Sequence, residues 1–206
     1  QLLHPDAALE DALSNSQSGG LPQIQVAANQ GKLIHLFIKM SGAKRILEIG
    51  TLGGYSTIWL ARALPDGGQI TTLELEPHHA KVAMSTFQAA GLSDRIRVIE
   101  GPAAISLKSL FEEDSTPFDF IFIDADKPGN PVYFDWALKF SRPGTIIVID
   151  NVVRGGAVVD PGNSDAGVQG VRNVVEMIAH EPRVESTALQ TVGSKGYDGF
   201  ILARVI

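Results

Sequence analysis

Arg45-Ile46-Leu47-Glu48-Ile49-Gly50-Thr51-Leu52-Gly53-Gly54-Tyr55-Ser56 opens with an apolar run that stops at a glycine and continues through a glycine-rich turn. A short apolar run closed this way reads as a buried strand entering a tight connection. Tyr55 to Leu64 follows with a helical pattern, ended by Pro65-Asp66-Gly67-Gly68. Three glycines let the backbone pass close to a ligand and expose amides at a helix N-terminus. Their spacing is not G-x-G-x-x-G, so the dinucleotide fingerprint is absent, and a purely structural turn stays open as a reading of this loop.

Beyond this stretch, strand and helix signals alternate. Gln69 to Leu75, Ile96 to Ile99, Phe118 to Ile123 and Thr145 to Ile149 read as strands. Pro77 to Ala90, Ala103 to Phe111, Pro131 to Phe140 and Val168 to His180 read as helices, with Pro77 in a first turn and Gly91 past an end, as those residues prefer. Val184 to Gln190 and Phe200 to Val205 read as two further strands, joined by Gly193-Ser194-Lys195-Gly196. The succession predicts an α/β fold: a doubly wound, mostly parallel sheet with an antiparallel C-terminal strand and helices on both faces.

Before it, Ala7 to Leu13 predicts a short helix, Ser14 to Gly20 a mobile polar loop, and the apolar positions from Ile24 to Ile38 a helical face on which His35 reads as packed or half-exposed. One domain is expected over 1–206, with 1–42 a helical, lid-like extension and 43–206 the cofactor-binding core.

Seventeen Lys plus Arg against twenty-three Asp plus Glu leave a net charge of −6, and Lys44-Arg45 is the only adjacent basic pair. That disfavours nucleic acid and anionic lipid as partners. The absence of cysteine removes disulfides, thiolate nucleophiles and iron–sulfur clusters, and fits a reducing cytoplasm. Apolar runs such as Ile146 to Ile149 are far shorter than the ~20 residues of a membrane span. Gln1 to Glu10 shows no signal-peptide pattern, and the sequence opens without an initiator Met, as a chain trimmed of a few residues would.

In doubly wound sheets ligands bind outside the carboxyl ends of the strands, which points to Gly50, Glu74, Glu100, Asp124 and Asp150. Glu74 lies about twenty residues after the glycine loop, the distance at which an acid meets ribose hydroxyls. Glu76 precedes Pro77 and reads instead as a helix start. Asp124-Ala125-Asp126-Lys127 and Asp150-Asn151 close two further strands. Asp124, Asp150 and Asn151 offer three hard oxygens, a donor set for Mg²⁺, and no His cluster suits zinc. Pro128 should hold Lys127 extended, and a lysine near a divalent cation has reason to act as a base.

Taken together, these strand ends resemble the class I S-adenosylmethionine-dependent O-methyltransferases. The nearer likeness is to the cation-dependent group of catechol and caffeoyl-CoA O-methyltransferases with their small bacterial and fungal relatives. The resemblance rests on Ile46 to Leu64, Phe122 to Lys127 (FIDADK), Arg142 to Gly156 and Gly193 to Phe200 (GSKGYDGF). It implies a Rossmann-like fold and a cytoplasmic homodimer. By the same resemblance, Glu48, Gly50 and Ser56 hold the methionine part of S-adenosyl-L-methionine (SAM) and Glu74 its ribose. Gly101, Pro102, Ala103 and Ala125 border the adenine. Asp124, Asp150 and Asn151 are implied metal ligands, Lys127 (with Asp124 beside it) the implied catalytic group, and Asp126 stands near both without an assigned task. Thr145 departs from the family, which usually has a second glycine there.

The implied reaction moves a methyl group from SAM to one hydroxyl of a small vicinal aromatic diol with help from a divalent cation. Alternatives are transfer to nitrogen or to an isolated hydroxyl, or SAM binding without turnover. A nicotinamide dehydrogenase is disfavoured, since neither Tyr133 nor Tyr197 is followed four residues on by lysine. Arg154 and Lys195 are candidates for an acidic substrate, though as loop charges they read better as solvated.

Overall fold

The computed structural model describes residues 2–193 and 196–206. The chain divides into two compact units, Gln1–Ser106 and Leu107–Ile206. Gln1, Ser194 and Lys195 lie outside the described residues, and with them the tip of the expected tail turn.

The first unit holds α1 (Ala7–Ser18), α2 (Ala28–Ser41), β1 (Arg45–Ile49), α3 (Tyr55–Ala63), β2 (Gln69–Glu74), α4 (Pro77–Ala89) and β3 (Ile96–Glu100). Its strands run parallel in the order β3-β2-β1, with Ile46 opposite Ile70 and Ile70 opposite Ile96. Ile46, Leu47, Glu48 and Ile49 are all buried, as befits a parallel strand covered on both faces. Pro77 stands at the start of α4 with Glu76 as its N-cap residue, as the sequence suggests.

Two expectations for the N-terminal segment change. The residues Ser14 to Ser18, expected as a mobile loop, continue α1. Their polar groups have partners: the Ser16 hydroxyl donates to Ala12 O at 2.8 Å, and Asn15 Nδ2 donates to Thr86 Oγ1 at 3.4 Å. The second helix starts only at Ala28, leaving Pro22 to Ala27 outside it. Of the two readings for His35 the structure takes the packed one: it is buried on α2, its Nδ1 3.1 Å from the Trp59 carbonyl oxygen, so the neutral ring donates from that nitrogen.

α5 (Ala103–Glu113) starts in the first unit. The second holds β4 (Phe120–Ile123), α6 (Asn130–Lys139), β5 (Ile146–Asp150), α7 (Ala166–Ala179), β6 (Val184–Gly193) and β7 (Gly196–Val205). Strand order here is β4-β5-β7-β6; β4 and β5 are parallel, and β7 runs antiparallel to both its neighbours. All four residues of β4 are buried, and Phe118, Phe111 and Trp136 pack around Phe140. α7 buries Val168, Val171, Val174 and Ile178 along one face. Among the described residues no helix is long and apolar enough to cross a membrane.

Candidate active site

In the first unit the ends of β1, β2 and β3 are level. Gly50 N donates to Leu73 O at 3.0 Å, and Gly101 N donates to Glu74 O at 2.8 Å. Glu74 is buried at the end of β2 and reaches back across the glycine loop. Its Oε2 accepts the Thr51 and Leu52 amides at 3.2 and 2.7 Å, and its Oε1 accepts the Glu76 amide at 3.0 Å. His79 Nδ1 stands 3.4 Å from the same Oε1. A carboxylate has about four lone-pair sites, so these three amides, two of them from the loop, occupy most of this one.

Glu48 is fully buried under the loop. Its Oε1 accepts from the Ser56 hydroxyl at 2.7 Å, and its Oε2 from Thr57 and Thr72 at 2.6 and 2.7 Å. With its proton turned to Glu48, the Ser56 oxygen is oriented as an acceptor. The glycines divide by task. A Cβ on Gly53 would stand 2.0 Å from Ser16 Oγ, and one on Gly54 2.3 Å from the Phe87 ring, so packing of the protein on itself requires both. Gly50 and Gly101 instead adopt φ of 103° and 129°, and a Cβ on Gly101 would meet nothing closer than Ser106 Oγ at 3.6 Å. That open strand end, beside a buried acid and unobstructed backbone, fits an adenosyl group. Pro102 and Ala103 follow directly, at the start of α5.

In the second unit, Ile123 pairs with Ile149, which sets Asp124 and Asp150 at the same end of adjacent parallel strands. Lys127 Nζ donates to Asp124 Oδ1 at 2.9 Å, and Lys127 is only 8% exposed. Pro128 does not hold this lysine extended. Asp126 takes the extended conformation as N-cap, and Lys127 opens a 3-10 turn, Lys127–Gly129, with the proline inside its first turn, where the missing N–H costs nothing. Ala125 is half-buried between the two aspartates.

Asp150 is buried, and its Oδ1 accepts the Asn151 amide at 2.8 Å. Asn151 stands at φ 56°, a left-handed conformation that asparagine tolerates better than most residues. Strain of this kind gathers where a side chain must be aimed. Asp124 Oδ2 accepts no hydrogen bond from any described residue. Among the described residues no three His, Cys, Asp or Glu side chains form a metal-holding group, so an ion here would rest on Asp124, Asp150 and the Asn151 amide oxygen. Two carboxylates and an amide form a hard, all-oxygen set that fits a small divalent cation.

Two residues near this set escape a reading of the sequence. Tyr133 donates its hydroxyl to Asp126 Oδ1. Asp198 Oδ1 accepts the Val153 and Arg154 amides at 3.0 and 2.9 Å, bracing the segment that follows Asn151. The seven-residue spacing from Asp126 to Tyr133 and the Asp198 of the tail motif are the only signals that pointed to them. Arg154 itself is exposed.

Residues 6–206 match the sequence profile of the O-methyltransferase family. The chain is 48% identical over 202 residues to a catechol O-methyltransferase of Niastella koreensis, covering 98% of this chain and 91% of that one. Its structure superposes with a TM-score of 0.98 on an O-methyltransferase from Bacillus cereus in complex with SAH, at 55% identity and covering 100% and 93% of the two chains. It superposes at 0.95 on an O-methyltransferase from Streptomyces achromogenes involved in tomaymycin synthesis, in complex with SAM, at 51% identity and 99% and 92% coverage.

Proposed function

The chain belongs to the O-methyltransferase family, with its Rossmann-like fold, and from that premise we propose that it methylates one hydroxyl of a small vicinal aromatic diol, using SAM and a divalent cation. The observation that carries the proposal is the buried Lys127 side chain with its Nζ on Asp124, at a strand end level with Asp150-Asn151. The catechol O-methyltransferase of Niastella koreensis supports the choice of acceptor, and the SAH- and SAM-bound relatives support the methyl donor.

SAM supplies a methyl group on a sulfonium, open to in-line attack. Gly50 and the amides of its loop would bind the methionine part, with the Ser56 oxygen, turned by Glu48, accepting from its ammonium. Glu74 would offer the remaining face of Oε1 to a ribose hydroxyl, and Gly101, Pro102, Ala103 and Ala125 would border the adenine. Asp124, Asp150 and Asn151 would hold the cation, Mg²⁺ by donor type, whose charge lowers the pKa of a nearby hydroxyl. Lys127 Nζ takes the hydroxyl proton as the oxygen becomes a nucleophile. The remaining task of the chain is alignment, because charge cancels rather than builds up as the methyl moves.

The test compares a catechol with its monohydroxy analogue, with and without chelator, by methyl transfer from labelled SAM. The diol should show a kcat/KM at least about 100-fold higher, since orientation and acidity are both lost with one oxygen. Chelation should abolish turnover while calorimetry still detects SAM binding. Equal values for the two acceptors, or full activity after exhaustive chelation, defeat the reading.

A further inference from the structure

Lys127–Gly129 is a single 3-10 turn, too short to hold its own shape. It is fastened at three points. Asp126 Oδ2 accepts the Gly129 amide at 3.0 Å, closing the turn from its N-cap. Asp126 Oδ1 accepts the hydroxyl of Tyr133, which lies on α6, and the Tyr133 ring fills the space beside Gly129, where a Cβ would meet Cζ at 2.4 Å. From α7, Gly170 lies so close that a Cβ would stand 2.1 Å from Lys127 O and 2.7 Å from Pro128 Cα.

We propose that Asp126 and Tyr133 are positioning residues for Lys127, forming with Gly170 a clamp that sets where the lysine nitrogen stands; this rests on the reading of Lys127 as the base. Capping a turn needs one acceptor oxygen, and Asp126 commits its second to a neighbouring helix. The pair therefore ties the orientation of the turn to α6 rather than merely closing it. The Lys127 side chain is buried, so its stem has little room to compensate and a swing of the turn is passed on to Nζ. A displacement of about 1 Å at a catalytic group can cost roughly 100-fold in rate. Burial, and then the Asp126 carboxylate, hold the Tyr133 phenol well above its usual range, so it remains a donor wherever the enzyme works.

The test is a double-mutant cycle on the full chain. Tyr133→Phe should lower kcat about 10-fold while leaving both KM values within about twofold, since only placement is lost. In a Lys127→Met background the same change should cost nothing further, because the clamp acts through that lysine. Hydrogen exchange at the Gly129 amide, which needs no turnover, should quicken in Tyr133→Phe. Asp126→Asn keeps the shape and one acceptor, and serves the same cycle if Tyr133→Phe folds poorly. Wild-type kcat in Tyr133→Phe, unchanged Gly129 exchange, or an undiminished loss in the Lys127→Met background overturns the clamp. If Lys127→Met itself turns over at the wild-type rate, the base assignment has failed and the clamp falls with it. That outcome is distinct from a failed clamp alone, in which Lys127→Met is slow and Tyr133→Phe is not.

Discussion

The connection after β1 and the connection after β4 meet the same problem in different ways. Both leave a strand for a helix, and both must satisfy amides that no helix or ladder accepts. After β1 the acceptor comes from the neighbouring strand: Glu74 takes the Thr51 and Leu52 amides across more than twenty residues of sequence. After β4 the acceptor is local: Asp126 caps its own turn three residues on, and Tyr133 steadies it from the following helix. The first loop is thus held by a residue that is also the candidate ribose ligand, so binding and folding share a carboxylate. In the second, the groups that hold the turn are separate from those proposed for the chemistry. Mutation should therefore mix stability and affinity at the first site, whereas at the second the lysine can be changed for rate without removing what holds the turn.

The largest effect tests that separation. Lys127→Met should lower kcat by about 100-fold or more, the usual range for a lost general base, with SAM affinity and melting temperature close to wild type. The deficit should narrow at high pH, where the acceptor hydroxyl ionises unaided. Methyl-transfer rates across pH, set beside calorimetric SAM binding, measure both halves of the claim.

Glu74→Ala should instead lose affinity and stability together. Bonds to a charged acceptor are each worth roughly 1.5–3 kcal/mol, so SAM should bind at least about tenfold more weakly. The melting temperature of the SAM-free protein should fall as well, because two loop amides lose their acceptor. Weaker binding with an unchanged melting temperature would show that the loop holds its form without Glu74, and that the contrast between the two connections is overdrawn.

The smallest effect lies outside both connections. Burial lowers the pKa of His35 from its ordinary value, with the charges of Lys32, Lys39 and Arg62 acting in the same direction and the bond to Trp59 O opposing. The neutral ring is the form that the fold accommodates. Its contribution to stability is complete above about pH 6.5 and is lost as pH falls from there through the lowered folded value. The melting temperature should therefore drop on moving from pH 7.5 to 5.5, and His35→Leu should flatten that part of the profile. A slope unchanged in the variant assigns the acid sensitivity to other groups.

Much of this protein is written in local pattern. Short apolar runs closed by glycine or acid mark β1, β4 and β5, because a strand covered on both faces needs apolar side chains along its whole length, while β2 and β3 mix in Thr, Gln and Arg. The same pattern places Glu74, Asp124 and Asp150 at carboxyl ends, where a chain leaving the sheet can expose a polar group. Tertiary structure decided what those groups touch. Ser14 to Ser18 look like a loop by composition, yet they form helix because Ser16 packs on Gly53 and Asn15 bonds Thr86. Gly53 and Gly54 look like ligand-facing glycines, yet Ser16 and Phe87 occupy the space beside them. The acceptor for the Leu52 amide lies 22 residues away, and Gly170 meets Lys127 across more than forty. No window of sequence contains such pairs, because side-chain periodicity reports which face is buried and not which distant group arrives to cover it.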